Sequence, residues 1–590
     1  MIRIQQITGR HAGHSTINSL FLILGLSSQS IWKAIMDLSP YDLQEAPGIG
    51  PPLPLGDPDG IGNAAAFHAV DSVLSTASAN AANTRPKRIG LVIPPSGFLL
   101  DERVFVSLGL LKVAAILEQA NHVVSVVDLS GVQNYADAFA EYLKNSRDDA
   151  IGITITTPQL PSALELARIA RLLRPDIRLI AGGPHITLTH SAFRLERKLG
   201  RDATGRSTEA MTLLHAAFDV LCAGDGEISV LTAILPDSPR IVDGDDRKGG
   251  FFMSDDFYDR TPRPARHLVD LPSYRYAIEG HPATSLIAQL GCPFSCGFCG
   301  GRHSNSLRVT RTRSTQSIVD ELEMLHKTYG YTGFMFYDDE LNVSKSLVGL
   351  MNAICDLQQR LGVEFRLRGF VKAELFNDAQ AQVMYRAGFR WLLCGFESAD
   401  PRILENIQKR ATLADNTRAV EIAKRHGLRV KALMSVGHPG ESADTVAAIG
   451  RWLISMSVDD FDCTIITTYP GTPYYDLSVP HDTLPDTWTY TAKSGDRLHA
   501  RAVDFSKTAD YYKGAPGNYS AYVFTDHLDG DQLIAARDQV EQEVRGKLGI
   551  SFNQGRPAIL FDHSMGQGLP PSILRSNRHQ RADLPLAQLA

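Results

Sequence analysis

Cys292, Cys296 and Cys299 lie within eight residues, in the run Gly291-Cys292-Pro293-Phe294-Ser295-Cys296-Gly297-Phe298-Cys299-Gly300. Thiolates are soft ligands that select zinc or iron–sulfur clusters. A structural zinc site needs four closed ligands, commonly from two paired Cys-x-x-Cys elements, and no second pair exists. Cys222, Cys355, Cys394 and Cys463 are isolated, each within an apolar pattern that suits core packing. Three thiolates on one tight loop suit a cubane cluster that keeps one iron free of protein ligands, the open position that catalysis at a metal requires. Seven cysteines in 590 residues, odd in number and sparse, do not make a disulfide framework.

The spacing of three and then two residues, with an aromatic before the last cysteine, resembles the radical S-adenosylmethionine (SAM) superfamily. The resemblance extends over 284–475. Tyr337-Asp338-Asp339-Glu340, Cys394-Gly395-Phe396-Glu397-Ser398, Ser435-Val436-Gly437-His438-Pro439-Gly440-Glu441 and Tyr469-Pro470-Gly471-Thr472-Pro473 each match a family segment, with His438 where leucine is usual. It implies a 4Fe-4S cluster on Cys292, Cys296 and Cys299. SAM would chelate the unique iron and be cleaved by one electron to a 5′-deoxyadenosyl radical. It also implies that Phe298 packs near the adenine, that Asp338, Gly395 and Gly437 line the SAM site, and that Glu397 and Ser398 hold the ribose hydroxyls. Locally, Asp338 and Asp339 read equally well as caps of the next helix.

These loops need a scaffold, and the sequence supplies one. Over 281–475 apolar strand patterns are expected at 285–290, 333–337, 364–368, 391–396, 430–436 and 460–467. Helical patterns fall between them at 315–328, 345–360, 378–387, 412–426 and 442–455. Six such steps predict a partial (β/α)6 barrel with its functional groups on the loops after the strands. The cysteine loop follows the first strand.

Upstream, strands are expected at 89–93, 123–127, 150–156, 177–181 and 219–222, with helices at 103–119, 135–143 and 161–173. This alternation predicts a doubly wound, Rossmann-like sheet over 86–240, which binds ligands at the carboxyl ends of its strands. The loops there carry Ser96 and Phe98, Thr156 and Thr157, Gly183 and His185, and Gly224, Asp225, Gly226 and Glu227; any one of them also reads as an ordinary βα turn. Such a sheet before this barrel resembles the cobalamin-binding subgroup of the superfamily. No Asp-x-His-x-x-Gly is present, so the resemblance implies a corrin whose cobalt takes no histidine in that way. The Ser96 loop would then face the corrin, with Gly182–185 and 224–227 along its nucleotide tail. A nicotinamide domain is the competing reading. It has only Asp128, at the end of strand two, in its favour, because no Gly-x-Gly-x-x-Gly follows strand one.

The remaining organisation is an extension over 1–85, a connector over 241–280 and a substrate-closing α+β region over 476–590 with a flexible tail. Trp488, Tyr490, Tyr511, Tyr512, Tyr519 and Tyr522 in that last region suit packing, or stacking on a substrate. Net charge is −6, so no strong positive field draws in nucleic acid. Arg302, Arg308, Arg311 and Arg313 read as surface or anion-contacting residues. No apolar run reaches the ~18–20 residues that span a bilayer, and no signal peptide is recognised, so a cytoplasmic location is expected. The family resemblance implies methyl transfer to an unactivated carbon or phosphorus of a small molecule, with an external electron donor such as flavodoxin or ferredoxin. Ring formation, rearrangement or oxidation with the same cofactors stays open, as does a non-catalytic electron-transfer or sensing role. No catalytic side chain is singled out.

Overall fold

The computed structural model describes residues 85–96, 102–201, 205–509, 511, 520–551 and 574–576. The expected extension, apart from Arg85, and the candidate Phe98 lie outside the described residues.

The first sheet is built from β1 (Arg88–Ile93), β2 (Val123–Asp128), β3 (Ala150–Thr154), β4 (Arg178–Gly182), β5 (Val220–Gly224) and β6 (Ile241–Gly244), in the order β2-β1-β3-β4-β5-β6, all parallel. β1 (RIGLVI) and β2 (VVSVVD) are nearly continuous apolar runs buried on both faces, as a sheet with helices on each side demands. The helices are α1 (Leu108–Gln119), α2 (Tyr135–Asn145), α3 (Leu160–Leu173), α4 (Pro184–Lys198), α5 (Arg206–Ala217) and α6 (Gly226–Ala233). β6 falls inside the span expected to be connector, and Leu574–Ser576, from the expected tail, adds to β2 as an antiparallel edge strand.

The second sheet holds β7 (His281–Leu286), β8 (Gly333–Phe336), β9 (Arg366–Phe370), β10 (Phe389–Glu397), β11 (Arg429–Val436) and β12 (Asp460–Ile465), parallel and in chain order. Its helices are α7 (Thr315–Tyr329), α8 (Leu347–Leu361), α9 (Asp378–Arg386), α10 (Leu413–Arg425) and α11 (Ala443–Met456). No pairing joins β12 to β7 among the described residues, so this is the expected partial barrel. The first strand sits four residues earlier than expected. Ala283–Leu286 align with Gly333–Phe336, whereas Gln289–Leu290 turn aside to pair antiparallel with Arg311–Thr312.

The open edge at β12 is covered by α12 (Gly530–Leu548). Arg545 donates to the Phe461 carbonyl at 3.0 Å and Arg537 to the Cys463 carbonyl at 2.8 Å, which satisfies edge groups that would otherwise be left open. Between them lies a small antiparallel sheet of β13 (Thr487–Thr491), β14 (Arg497–Arg501) and β15 (Val523–Thr525), with Val479–Pro480 on its edge.

Candidate cluster and cofactor site

The cysteine loop is fixed by its backbone, which leaves the thiols free. The Cys292 amide donates to the Leu307 carbonyl (3.0 Å), Gly297 to Ile407 (2.8 Å) and Gly301 to Gly471 (2.8 Å), while Tyr474 donates back to Gly297 (3.0 Å). Two glycines permit this closeness. A β-carbon on Gly291 (φ +82°) would lie 2.2 Å from the Val309 carbonyl oxygen, and one on Gly297 2.2 Å from the Tyr474 ring. Arg302, expected at the surface, is buried and donates to the carbonyls of Cys292 (2.9 Å) and Phe294 (2.5 Å). All three cysteines are free and half-buried. Among the described residues no three His, Cys, Asp or Glu side chains converge as the ligands of one ion do. A cubane makes no such demand, because each thiolate takes its own iron. The donor set and its free, loop-borne thiols therefore fit a 4Fe-4S cluster.

Three cations surround the thiols. Burial pushes Cys292 and Cys296 upward and Cys299 to about 12. Arg302 opposes this at Cys292 and Cys299, and Lys409 with Lys372 at Cys296. Binding of metal would deprotonate them. Lys372 is buried, 2.8 Å from Glu374 and 4.1 Å from the Phe294 ring centroid, and it donates to the Lys409 carbonyl at 3.2 Å.

Beside the loop, Glu397 ends β10 at a bulge with φ +65°, a conformation that non-glycine residues rarely adopt. Its carboxylate pairs with Lys409 (2.9 Å) and accepts from the Ser435 hydroxyl (2.8 Å). With its own proton committed there, Ser435 accepts from His438 Nε2 at 2.8 Å. His438 is fully buried, and desolvation lowers it to about 4, so it is neutral; its ring stands edge-on to Phe298 at 5.3 Å. Glu441 accepts from the amides of Gly437 (2.7 Å) and His438 (3.0 Å). Nearby, His438 Nδ1, Glu441 Oε1 and the Tyr474 hydroxyl are buried without a partner. Buried polar atoms of this kind suit a polar ligand or ordered water. Ser398 is buried and accepts from the Asp400 amide at 3.2 Å. Asp338 does not cap a helix. It accepts from the amides of Ala288 (3.1 Å) and Gln289 (2.5 Å), bracing the chain that enters the cysteine loop.

The first domain's loops mostly satisfy themselves. His185 bonds Thr157 at 3.1 Å, and Thr156 caps the turn Thr157–Gln159. Gly183 and Gly224 have φ of +98° and +78°. A β-carbon would strike Thr154 and Ile155 at the first, and Gly244 and Asp245 at the second. Asp225, at the N-terminus of α6 beside Gly226, pairs with the buried Arg311 at 2.5 Å; Glu227 is buried in the first turn. Ser96 keeps a buried hydroxyl without a partner. Asp128 is spoken for: Arg103 pairs with it at 3.0 Å and Tyr274 donates to it at 2.7 Å. That removes the one residue favouring a nicotinamide domain. The helix expected from 103 begins at Leu108.

The loops of both domains meet at the cysteines. Leu188, on α4, lies 3.1 Å from where a Gly300 β-carbon would stand and 2.9 Å from that of Gly471. Asp245 accepts from the Ser304 hydroxyl (2.6 Å) and the Ser306 amide (2.8 Å), and pairs with Arg194 (2.5 Å).

Residues 286–453 match the family model of the radical SAM superfamily, and residues 102–215 match that of the B12 binding domain. The chain carries a radical SAM domain, with a B12-binding domain before it. The chain is 28% identical over 419 residues to an uncharacterized methyltransferase of Pyrococcus horikoshii, covering 67% of this chain and 84% of that one. It is 24% identical over 350 residues to the anaerobic magnesium-protoporphyrin IX monomethyl ester cyclase of Rubrivivax gelatinosus, covering 57% and 59%. Its fold is shared with the radical SAM methyltransferase TsrM from Kitasatospora setae, solved with cobalamin and a 4Fe-4S cluster bound, at TM-score 0.53 and 18% identity over 69% of this chain and 81% of that one.

Motif reading of the radical SAM domain missed Lys372 and Lys409, which stand by its cysteines and Glu397; Arg302, read as surface or anion-contacting, and Ser435, inside a family segment, were named without these contacts. Lys409 and Lys372 carried no spacing signal; only their burial marks them. Arg311 and Arg313 are likewise buried: Arg313 pairs with Glu321 at 2.6 Å. Arg308 is half-buried and donates to the Pro293 carbonyl at 2.9 Å. Tyr490 and Tyr511 pack as the bland reading expected, and Trp488 lies against Arg206, 4.1 Å away; Tyr512 and Tyr519 are outside the described residues.

Proposed function

We propose that this protein methylates an unactivated carbon or phosphorus centre of a small molecule. The observation that carries this is the seating of the B12-binding domain directly on the cysteine loop, through Leu188, Asp225 and Asp245. Bound together, a 4Fe-4S cluster, SAM and cobalamin supply one-electron cleavage of SAM and a methyl carrier. The chain's own residues hold and insulate them. Cys292, Cys296 and Cys299 are the cluster ligands, and Lys372, Lys409 and Arg302 offset the negative charge gathered there. Phe298, Asp338, Gly395, Glu397, Ser398 and Gly437 border SAM, with Glu397 held by Lys409 and Ser435. The B12-binding domain offers Ser96, Thr156 and the loops at Gly183–185 and 224–227 to the corrin, and Phe98 belongs to the same set. The domains are a Rossmann-like unit from 86 to about 244, a barrel over 281–475 and a covering region over 476–590. A flavodoxin or ferredoxin in the cytoplasm supplies the electron; no helix among the described residues is long and apolar enough to cross a membrane.

The likeness to the cyclase favours a second reading, ring formation with the same cofactors. Label from methyl-SAM recovered in product separates the two. Anaerobically reconstituted protein is expected to carry about four irons and one corrin per chain and to release 5′-deoxyadenosine with SAM and reductant. Cys296→Ala should abolish that release. Full activity of corrin-free protein would overturn the cobalamin assignment.

A further inference from the structure

Side chains alternate along a strand, so Arg366, Arg368 and Phe370 share the inner face of β9, aligned with Met335 on β8 and Trp391 on β10. The cations on this inner face differ in their partners. Arg366 reaches Glu364 (3.3 Å) and Glu279 (3.6 Å), Arg429 reaches Glu279 (3.2 Å), and Lys431 reaches Asp460 (2.9 Å) and Asp462 (3.2 Å). Arg368 pairs with no carboxylate among the described residues, and its Nε is buried without a hydrogen bond. Its guanidinium lies 6.0 Å from the Trp391 ring centroid and beside the buried Tyr276 hydroxyl. Around it the walls are flat rings. Tyr276 meets Phe105 at 4.8 Å, Phe105 meets Tyr337 at 5.0 Å, and Tyr337 meets Phe370 at 6.2 Å. Tyr337 is 46% exposed despite standing at the end of a core strand, so this wall is open.

Arg368 is half-buried, and a partly buried guanidinium with no counter-ion gains from an arriving anion. Arginine offers a planar fork that suits carboxylate or phosphate, and aromatic walls suit a flat apolar body. We propose that the barrel lumen binds the carboxylate or phosphate of a substrate with a planar aromatic body, the anion on Arg368 and the ring among Trp391, Tyr276, Phe105, Tyr337 and Phe370. This rests on the reading of the barrel as the substrate chamber of a methyl-transferring enzyme.

The test uses the reconstituted full-length holoenzyme, with benzoate, phenyl phosphate and benzamide as probes and tryptophan fluorescence as readout. At least one anionic probe should give saturable quenching at least tenfold tighter than neutral benzamide, and comparison of the two anions distinguishes carboxylate from phosphate. Arg368→Gln should lose that preference, Arg368→Lys should keep most of it, and Trp391→Phe should remove the signal. Corrin content and SAM-dependent 5′-deoxyadenosine release should stay at wild-type levels in both Arg368 variants, which also shows that they fold. Equal binding of benzamide and the anions, or unchanged anion affinity in Arg368→Gln, overturns the proposal. So does a selective loss of corrin in Arg368→Gln, because the anion would then be the cofactor's. Absence of 5′-deoxyadenosine from the wild type would sink the functional reading instead, and the probe titrations would still report on Arg368.

Discussion

Glu397, at the end of β10, and Glu441, in the loop after β11, are two buried carboxyls whose surroundings divide their behaviour. Glu397 has Lys409 and Ser435. Lys409→Met would strand that carboxylate in the interior, at a cost of about 3–5 kcal/mol, seen as a lower urea midpoint and weaker SAM binding. Glu441 has two backbone amides but no cation, and burial raises it from 4.5 to about 7. Between those values the folded protein holds a proton that the unfolded chain has released, so Glu441 makes stability fall as pH rises through that window. Glu441→Gln cannot lose a proton there. Its melting temperature should gain on the wild type from pH 5 to pH 8, by the equivalent of at most about 3 kcal/mol; a difference that does not change with pH would refute the assignment.

At the level of elements, the cysteine loop owes its position to chain segments distant in sequence. The turn that follows β6 places Asp245 under residues 304–306, and the N-terminus of α6 places Asp225 against Arg311. Asp245→Ala would leave two serine hydroxyls and an amide without their acceptor, and would take from Arg194 the nearer of its two carboxylates, with Asp243 remaining at 3.1 Å. We expect a loss of about 3 kcal/mol or more, together with lower iron content after reconstitution, measured by iron analysis. The cover on β12 depends in the same way on α12. Arg545→Ala would expose the Phe461 carbonyl and take from Glu541 its partner at 2.6 Å, with Arg537 remaining at 3.6 Å, and hydrogen exchange at β12 should accelerate while that at β1 stays unchanged.

For the whole molecule, one face of the first sheet shares an apolar core with the second sheet, while its other face packs a core of its own. Leu111 and Leu117 of α1, Leu268 and Tyr274 of the connector, and Ile318 and Leu322 of α7 belong to a single buried cluster. Backbone bonds join the same parts, from Ala265 to Leu111 at 2.9 Å and from Arg275 to Arg103 at 3.0 Å. A chain so joined should unfold as one unit. Corrin absorbance and far-UV circular dichroism of the holoenzyme are therefore expected to lose signal at the same denaturant concentration; two separated transitions would show the domains to be independent.

Much of this was legible without coordinates. Cluster chemistry follows from three thiols at close spacing, because ligand type and local geometry are properties of a short run. Strand–helix alternation follows from apolar periodicity, which is also local. Boundaries were less secure: β7 begins four residues before the apolar run that suggested it, since alignment with β8 decides register. Nothing in the sequence distinguished Asp128, which closes on Arg103, from an acid that reads a ribose. Nothing in it told the paired Arg366 from the unpaired Arg368 two residues on. Burial and partnership of charges belong to contacts between residues far apart in the chain, here 146 positions for Tyr274 and Asp128, and only the tertiary structure creates them.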